Sequence, residues 1–165
     1  MKICCFFGHR NAKETPDLYN KVRETILHLL QENNATVFLF GGASKFDDLC
    51  LKVVTELKTN YPQIHRVYVR AQSSHINNEY KQNLLQYYDD TLLPSGIDSA
   101  GKAAYVERNQ AVINASDFCI FYYNKDYQPP QTKKRNPTTN LSATSGTKLA
   151  YEYAKKQNKE ILNLY

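Results

Sequence analysis

The feature that most constrains this chain is a repeating unit: a short apolar run, a stop at glycine or a polar pair, then a longer stretch whose apolar residues recur at helical spacing. Lys2-Ile3-Cys4-Cys5-Phe6-Phe7 is rich in strand-forming residues and stops at Gly8. Thr15-Pro16-Asp17 then supplies a capping hydroxyl, a proline at the first helical position and an acid in the first turn. Leu18, Val22, Ile26, Leu29 and Leu30 follow on one helical face as far as Asn33-Asn34. Thr36 to Phe40 reads as a second strand, stopped by Gly41-Gly42. Ser44 with Asp47 resembles a capping box and opens a second helix, whose stripe is Phe46, Leu49, Cys50, Val53, Val54 and Leu57. Asn60-Tyr61-Pro62 ends it, and Ile64 to Val69 is the third strand.

The pattern is weaker from Ser73 to Lys102. Asn77 to Tyr88 reads as a polar helix and Thr91 to Pro94 as a short fourth strand. Ala103 to Ala115 reads as a helix with Val106, Gln110 and Ile113 on one side, and Asp117 to Tyr123 as an apolar strand. Asn124 to Ser145 is polar, holds three prolines and the basic run Lys133-Lys134-Arg135, and is expected to form a flexible loop at about 124–145. Gly146 to Asn158 and Lys159 to Tyr165 complete the series as a helix and a strand.

Short buried strands alternating with helices predict an α/β fold: a Rossmann-like domain whose mostly parallel sheet carries helices on both faces. At 165 residues the chain is the size of one domain, and no linker or repeat divides it, so residues 1–165 are read as a single unit. Hydrophobic residues make up 42% and charged residues 22%, near the globular norm, so the composition does not argue for disorder. The apolar runs are far shorter than the roughly 18 residues of a membrane span. The N-terminal apolar run is too short for a signal peptide, so a cytoplasmic protein without membrane contact is expected. The four cysteines show no CxxC spacing and no clustering with histidine, and read as buried thiols rather than metal ligands or disulfides. Thirteen tyrosines suit half-buried packing with a solvated hydroxyl, with one or two free to stack on a base.

Three segments concentrate glycine and small polar residues where elements meet: Gly8-His9-Arg10, Gly41-Gly42-Ala43-Ser44 and Thr144-Ser145-Gly146-Thr147. In a parallel sheet these fall on one edge, the carboxyl edge, where ligands of such folds bind. Two of them open helices, whose free N–H groups and dipole favour an anion such as a phosphate. Arg108, beside Asn109, adds a guanidinium able to fork two hydrogen bonds to a phosphate or carboxylate, or to form a surface ion pair. Asp47 reads either as a ribose contact or as part of its helix cap. Neither a GxxxxGK[ST] loop nor a GxGxxG fingerprint is present.

Taken in order, these residues resemble a known group. Phe7-Gly8-His9-Arg10 is similar to the Gly-His-Arg signature of the YpsA-like branch of the SLOG superfamily, which also includes the LOG proteins and the DprA core. The stretches Gly41 to Leu49, Val54 to Ile64, Arg108 to Asp117, and Ser145-Gly146-Thr147 with Tyr153 to Lys156 resemble later segments of the same branch. The resemblance implies a Rossmann-like fold and a nucleotide-derived ligand, ADP-ribose-like or a nucleotide sugar, and it admits a homodimer. It implies no certain cofactor and no metal. LOG hydrolases place a catalytic Glu three residues after the position of Thr147; here that position is Ala150. The next acid, Glu152, lies about 200° further round the helix.

The leading expectation is a sensing or regulatory domain in which Gly8, Gly41, Gly42 and Gly146 approach phosphates. In it Arg10 and Arg108 balance charge, Ser145 and Thr147 offer hydroxyls, His9 stacks on or hydrogen-bonds the ligand or caps its turn, and Asp47 and Asn109 lie close by. The alternative is a LOG-type hydrolase of a nucleotide N-glycosidic bond, with Glu79, Glu107 or Asp47 as its acid. A second alternative is DprA-like nucleic-acid binding through Lys133-Lys134-Arg135. A formal net charge of only +5 and the lack of a broad basic stripe argue against it.

Overall fold

The computed structural model describes residues 1–71, 78–97, 101–128 and 145–165. Most of the expected loop at 124–145, including Lys133-Lys134-Arg135, lies outside them. The strands are β1 (Lys2–Gly8), β2 (Ala35–Phe40), β3 (His65–Val69), β4 (Asp90–Leu92), β5 (Phe118–Tyr122) and β6 (Glu160–Asn163). The helices are α1 (Pro16–Asn33), α2 (Lys45–Lys58), α3 (Asn78–Leu84), α4 (Ala104–Ala115) and α5 (Gly146–Lys156). A short 3₁₀ turn, Gly101–Ala103, leads into α4.

The local signals act as the sequence predicts. The Thr15 side chain accepts the Leu18 N–H, and Asn34 ends α1 in the left-handed conformation (φ 55°), which asparagine tolerates better than most residues. Ser44 accepts the Asp47 N–H at the start of α2.

The six strands pair in parallel in the order β4-β3-β2-β1-β5-β6. Side chains alternate across the sheet and divide the core in two. Cys4, Phe6, Phe38, Phe40 and Ile120 pack under α1 and α2. Cys5, Phe7, Leu39, Val67, Cys119 and Phe121 pack under α4 and α5. The chain steps one way from β1 to β3 with helices on one face, then the other way from β5 to β6 with helices on the opposite face. A constant crossover hand requires this change of face. All four cysteines are free and buried.

One helix departs from its expected orientation. The residues of α4 that face the core are Ala104, Arg108, Val112 and Ile113. Val106 is 39% exposed and Gln110 only half-buried. The apolar asymmetry of α4 is weak, so its rotation follows from what Arg108 reaches. No helix among the described residues is long and apolar enough to cross a membrane.

Candidate functional site

The strand order reverses between β1 and β5, and the chain leaves these neighbours in different directions. Such a switch point opens a crevice at the carboxyl edge. His9, just after β1, occupies it and is only 4% exposed. The Asn124 N–H, just after β5, donates to His9 Nε2 at 2.8 Å. The Asn124 carbonyl lies farther from the same nitrogen, at 3.2 Å. With Nε2 accepting, the ring proton belongs on Nδ1. Nδ1 is buried and has no hydrogen-bond partner among the described residues. Burial lowers the His9 pKa from the ordinary imidazole value, with the Asn124 backbone working the other way, which favours the neutral ring. The Tyr127 ring lies over the imidazole with centroids 3.9 Å apart and planes 22° apart. Tyr123, 5.7 Å from His9, stacks in turn on Tyr151.

The start of α5 adjoins this crevice. Thr147 Oγ1 donates to the Gly8 carbonyl at 2.9 Å, which ties the first turn of α5 to the end of β1. Ser145 is the N-cap residue, yet its side chain makes no capping hydrogen bond, and the first turn contains no acid. A Cβ placed on Gly146 would meet nothing within 4 Å among the described residues. From Gly146 a groove of about 300 Å³ runs between α4 and α5, with Tyr105, Asn109, Gln110, Leu149 and Tyr153 along its walls. Aromatic and amide side chains therefore continue directly from a helix start that its own side chains leave uncapped.

The start of α2, on the same edge, is filled. Ser44 Oγ donates to Asp47 Oδ2 and accepts the Asp47 N–H at 3.1 Å. Asp47 is 6% exposed, and a Cβ on Gly42 would lie 2.2 Å from its Oδ2. Burial pushes the Asp47 carboxyl up to about 6, against the opposing effects of Ser44 and Arg108. Arg108, 5% exposed, is turned inward. Its NH1 donates to the carbonyls of Gly41 and Val69, and its Nε to Asn109 Oδ1 at 2.8 Å. The guanidinium sits over the Tyr105 ring, 5.8 Å from its centroid.

The residues singled out from the sequence thus meet along one edge, but in two groups. Gly8, His9, Ser145, Gly146 and Thr147 surround the switch point, and Asn109 lines the adjoining groove. Gly41, Gly42, Asp47 and Arg108 form a closed cluster at the ends of β2 and β3. Arg10 bridges the two: its side chain is exposed, and its carbonyl accepts the Lys45 N–H at 3.2 Å.

Of the acids considered for hydrolysis, Glu79 and Glu107 are exposed and Asp47 is enclosed by Gly42 and Ser44. Ala150, at the position of the LOG acid, is buried against the sheet. Glu152 is exposed, lines the groove between α4 and α5, and lies 3.8 Å from Lys148. Among the described residues, no group of three or more His, Cys, Asp or Glu could hold a metal ion.

The sequence reading missed Asn124, Tyr127, Tyr105 and the outer stripe of α5. Leu149 and Tyr153, four residues apart and adjacent to the buried pair Ala150 and Ala154, carried a signal: the apolar face of α5 is wider than contact with the sheet requires. Tyr127 carried none, because its partner His9 lies in a distant part of the chain. No protein-family model matches this chain, and no curated protein matches it at a significant level.

Proposed function

We propose that this protein binds a phosphate-bearing nucleotide or nucleotide-derived ligand, of the ADP-ribose or nucleotide-sugar class, as a sensing or regulatory domain. The observation that carries this reading is the groove of about 300 Å³ that opens at Gly146, the first residue of α5. A helix start without an acid or a side-chain cap favours an anion through its N–H groups and dipole. A slot with aromatic walls and a few amides suits the nucleoside part. The fold agrees with what the SLOG resemblance implies, and the switch point is where folds of this type hold their ligands.

Binding without turnover is favoured over hydrolysis by the surroundings of the acids. Stabilising an oxocarbenium-like centre needs a carboxylate facing the substrate. The position of the LOG acid is a buried alanine, the buried Asp47 is held by its own helix cap, and Glu152, the acid that lines the groove, is exposed and lies 3.8 Å from Lys148.

A thermal-shift series with AMP, ADP, ADP-ribose, cyclic ADP-ribose, NAD and UDP-glucose, each mixture checked for breakdown, tests the reading. A ligand at a hundred times its Kd adds about 2.7 kcal/mol to stability. Stabilisation with intact ligand is the expected result. Release of free base would replace the reading with the hydrolase. No shift with any of the six would remove its support.

A further inference from the structure

His9 combines features that packing alone does not require. Its tautomer is set by the Asn124 N–H, its Nδ1–H is buried without an acceptor among the described residues, and it sits at the switch point. A buried N–H without an acceptor is rare and unfavourable in proteins. Among the described residues, the ring stacked on the broad face of the imidazole is that of Tyr127, on a short surface turn, while Tyr123 meets it at a tilt, 5.7 Å away. The Tyr127 N–H donates to the Asn124 carbonyl at 3.2 Å, and the Asp126 N–H to Asn124 Oδ1 at 2.9 Å. Lys125 and Asp126 are exposed and Tyr127 is half-buried. The cover is therefore held locally, while the ring beneath it is held by β1 and β5.

We infer that the face of His9 beneath Tyr127 is a stacking site for the flat ring of a nucleotide, and that Tyr127 is its exchangeable cover. The inference rests on the nucleotide reading above and gives that site its ring-binding element. A nucleotide has the two groups His9 lacks. Its base supplies a π-face for the imidazole, and its sugar and phosphate supply oxygens for the in-plane Nδ1–H. Thr147, bonded to the Gly8 carbonyl next to His9, brings the anion-favouring start of α5 to the same place. Tyr127 keeps the imidazole face out of water until a second ring replaces its own, so binding must first break one aromatic stack.

The test measures dissociation constants by calorimetry for AMP and for ribose 5-phosphate, the same phosphate and sugar without a base, on the wild type, Tyr127→Ala and Tyr127→Phe. Removing the cover is expected to tighten AMP roughly three- to tenfold, the range of one aromatic pair. Ribose 5-phosphate should be unchanged, and Tyr127→Phe, which keeps the ring, should match the wild type. As a second readout, AMP but not ribose 5-phosphate should shift the ring-proton resonances of His9 in the wild type. Three outcomes overturn the inference while leaving the nucleotide reading in place: AMP binding unchanged by Tyr127→Ala, AMP binding weakened by it, or an equal gain for both ligands. Failure of every variant to bind ribose 5-phosphate or any of the six nucleotides of the thermal-shift series overturns the nucleotide reading itself.

Discussion

Two helices begin on the same edge of one sheet, and their first turns are built in opposite ways. The start of α2 is closed: Ser44 caps it, Asp47 and Asp48 supply negative charge, and the Asp47 oxygens lie against Gly42. The start of α5 is open: Ser145 makes no capping bond, the first turn has no acid, and a Cβ on Gly146 would meet no described residue within 4 Å. The glycines on this edge therefore have different reasons. A Cβ on Gly8 would lie 2.4 Å from the buried Phe46, and one on Gly41 would meet Arg108 at 2.6 Å. Those glycines allow close packing. Gly146 has no such neighbour, and its place beside the groove is what sets it apart. A helix end capped by its own side chains supports the fold, and one left uncapped is available to a ligand.

The sharpest way to break this contrast is Arg108→Ala. The buried carbonyl of Val69 and the half-buried one of Gly41 lose their donor. At about 1–3 kcal/mol for each unmet group, urea unfolding should show a loss of about 2–6 kcal/mol. A variant of near-normal stability that no longer binds nucleotide would move Arg108 from the closed cluster to the ligand.

Gly8→Ala comes next. The added methyl meets the Cβ and ring of fully buried Phe46, and overpacking of this kind costs about 1–3 kcal/mol. Stability within a few tenths of a kcal/mol of the wild type would show that the end of β1 yields easily and that its glycine is not required by packing.

The third test uses pH. Asp47 in the folded protein titrates at about 6, above its ordinary carboxylate value, so between those values the folded state binds more protons than the unfolded state. Its contribution is present at low pH and is lost as pH rises through 6. Between pH 5 and pH 8 this amounts to about 1–1.5 kcal/mol. His9, whose pKa is lowered, acts in the opposite sense and loses stability as pH falls. The comparison is therefore between the profiles of the wild type and Asp47→Asn, in which His9 cancels. The wild type should lose that amount relative to the variant on going from pH 5 to pH 8. Parallel profiles would mean that the start of α2 is more open to water than its geometry indicates.

The smallest effect on stability is expected at the open end. In Gly146→Asp the added Cβ meets no described residue and the side chain places a negative charge at a helix start, so stability should rise by about 0.3–1 kcal/mol. The same carboxylate competes with a phosphate, and the thermal shift produced by nucleotides should disappear. A variant that still binds AMP would place the anion elsewhere on the edge.

Much of the fold was legible because its signals are local. Thr15 and Ser44 cap helices a few residues away, and the strands from Lys2, Thr36, Ile64 and Asp117 announce themselves by their own apolar runs. The alternation of the two elements was enough to fix a parallel α/β sheet. It also placed the glycine segments on one edge, because every parallel strand ends at the same side.

Tertiary structure decided the rest. Strand order set β5 beside β1 and brought Asn124 and Tyr127 to His9, across more than a hundred positions of chain. The rotation of α4 was fixed by the Arg108 bonds to Gly41 and Val69, after which Val106 and Tyr105 faced outward to make a groove. Which helix start stayed open depended on whether an acid folded back on it, as Asp47 does in α2 and no residue of the first turn does in α5. Periodicity and capping are properties of neighbours along the chain. The chemistry of this edge comes from residues that become neighbours only when the sheet closes, and the sequence of each segment alone carries no record of that distance.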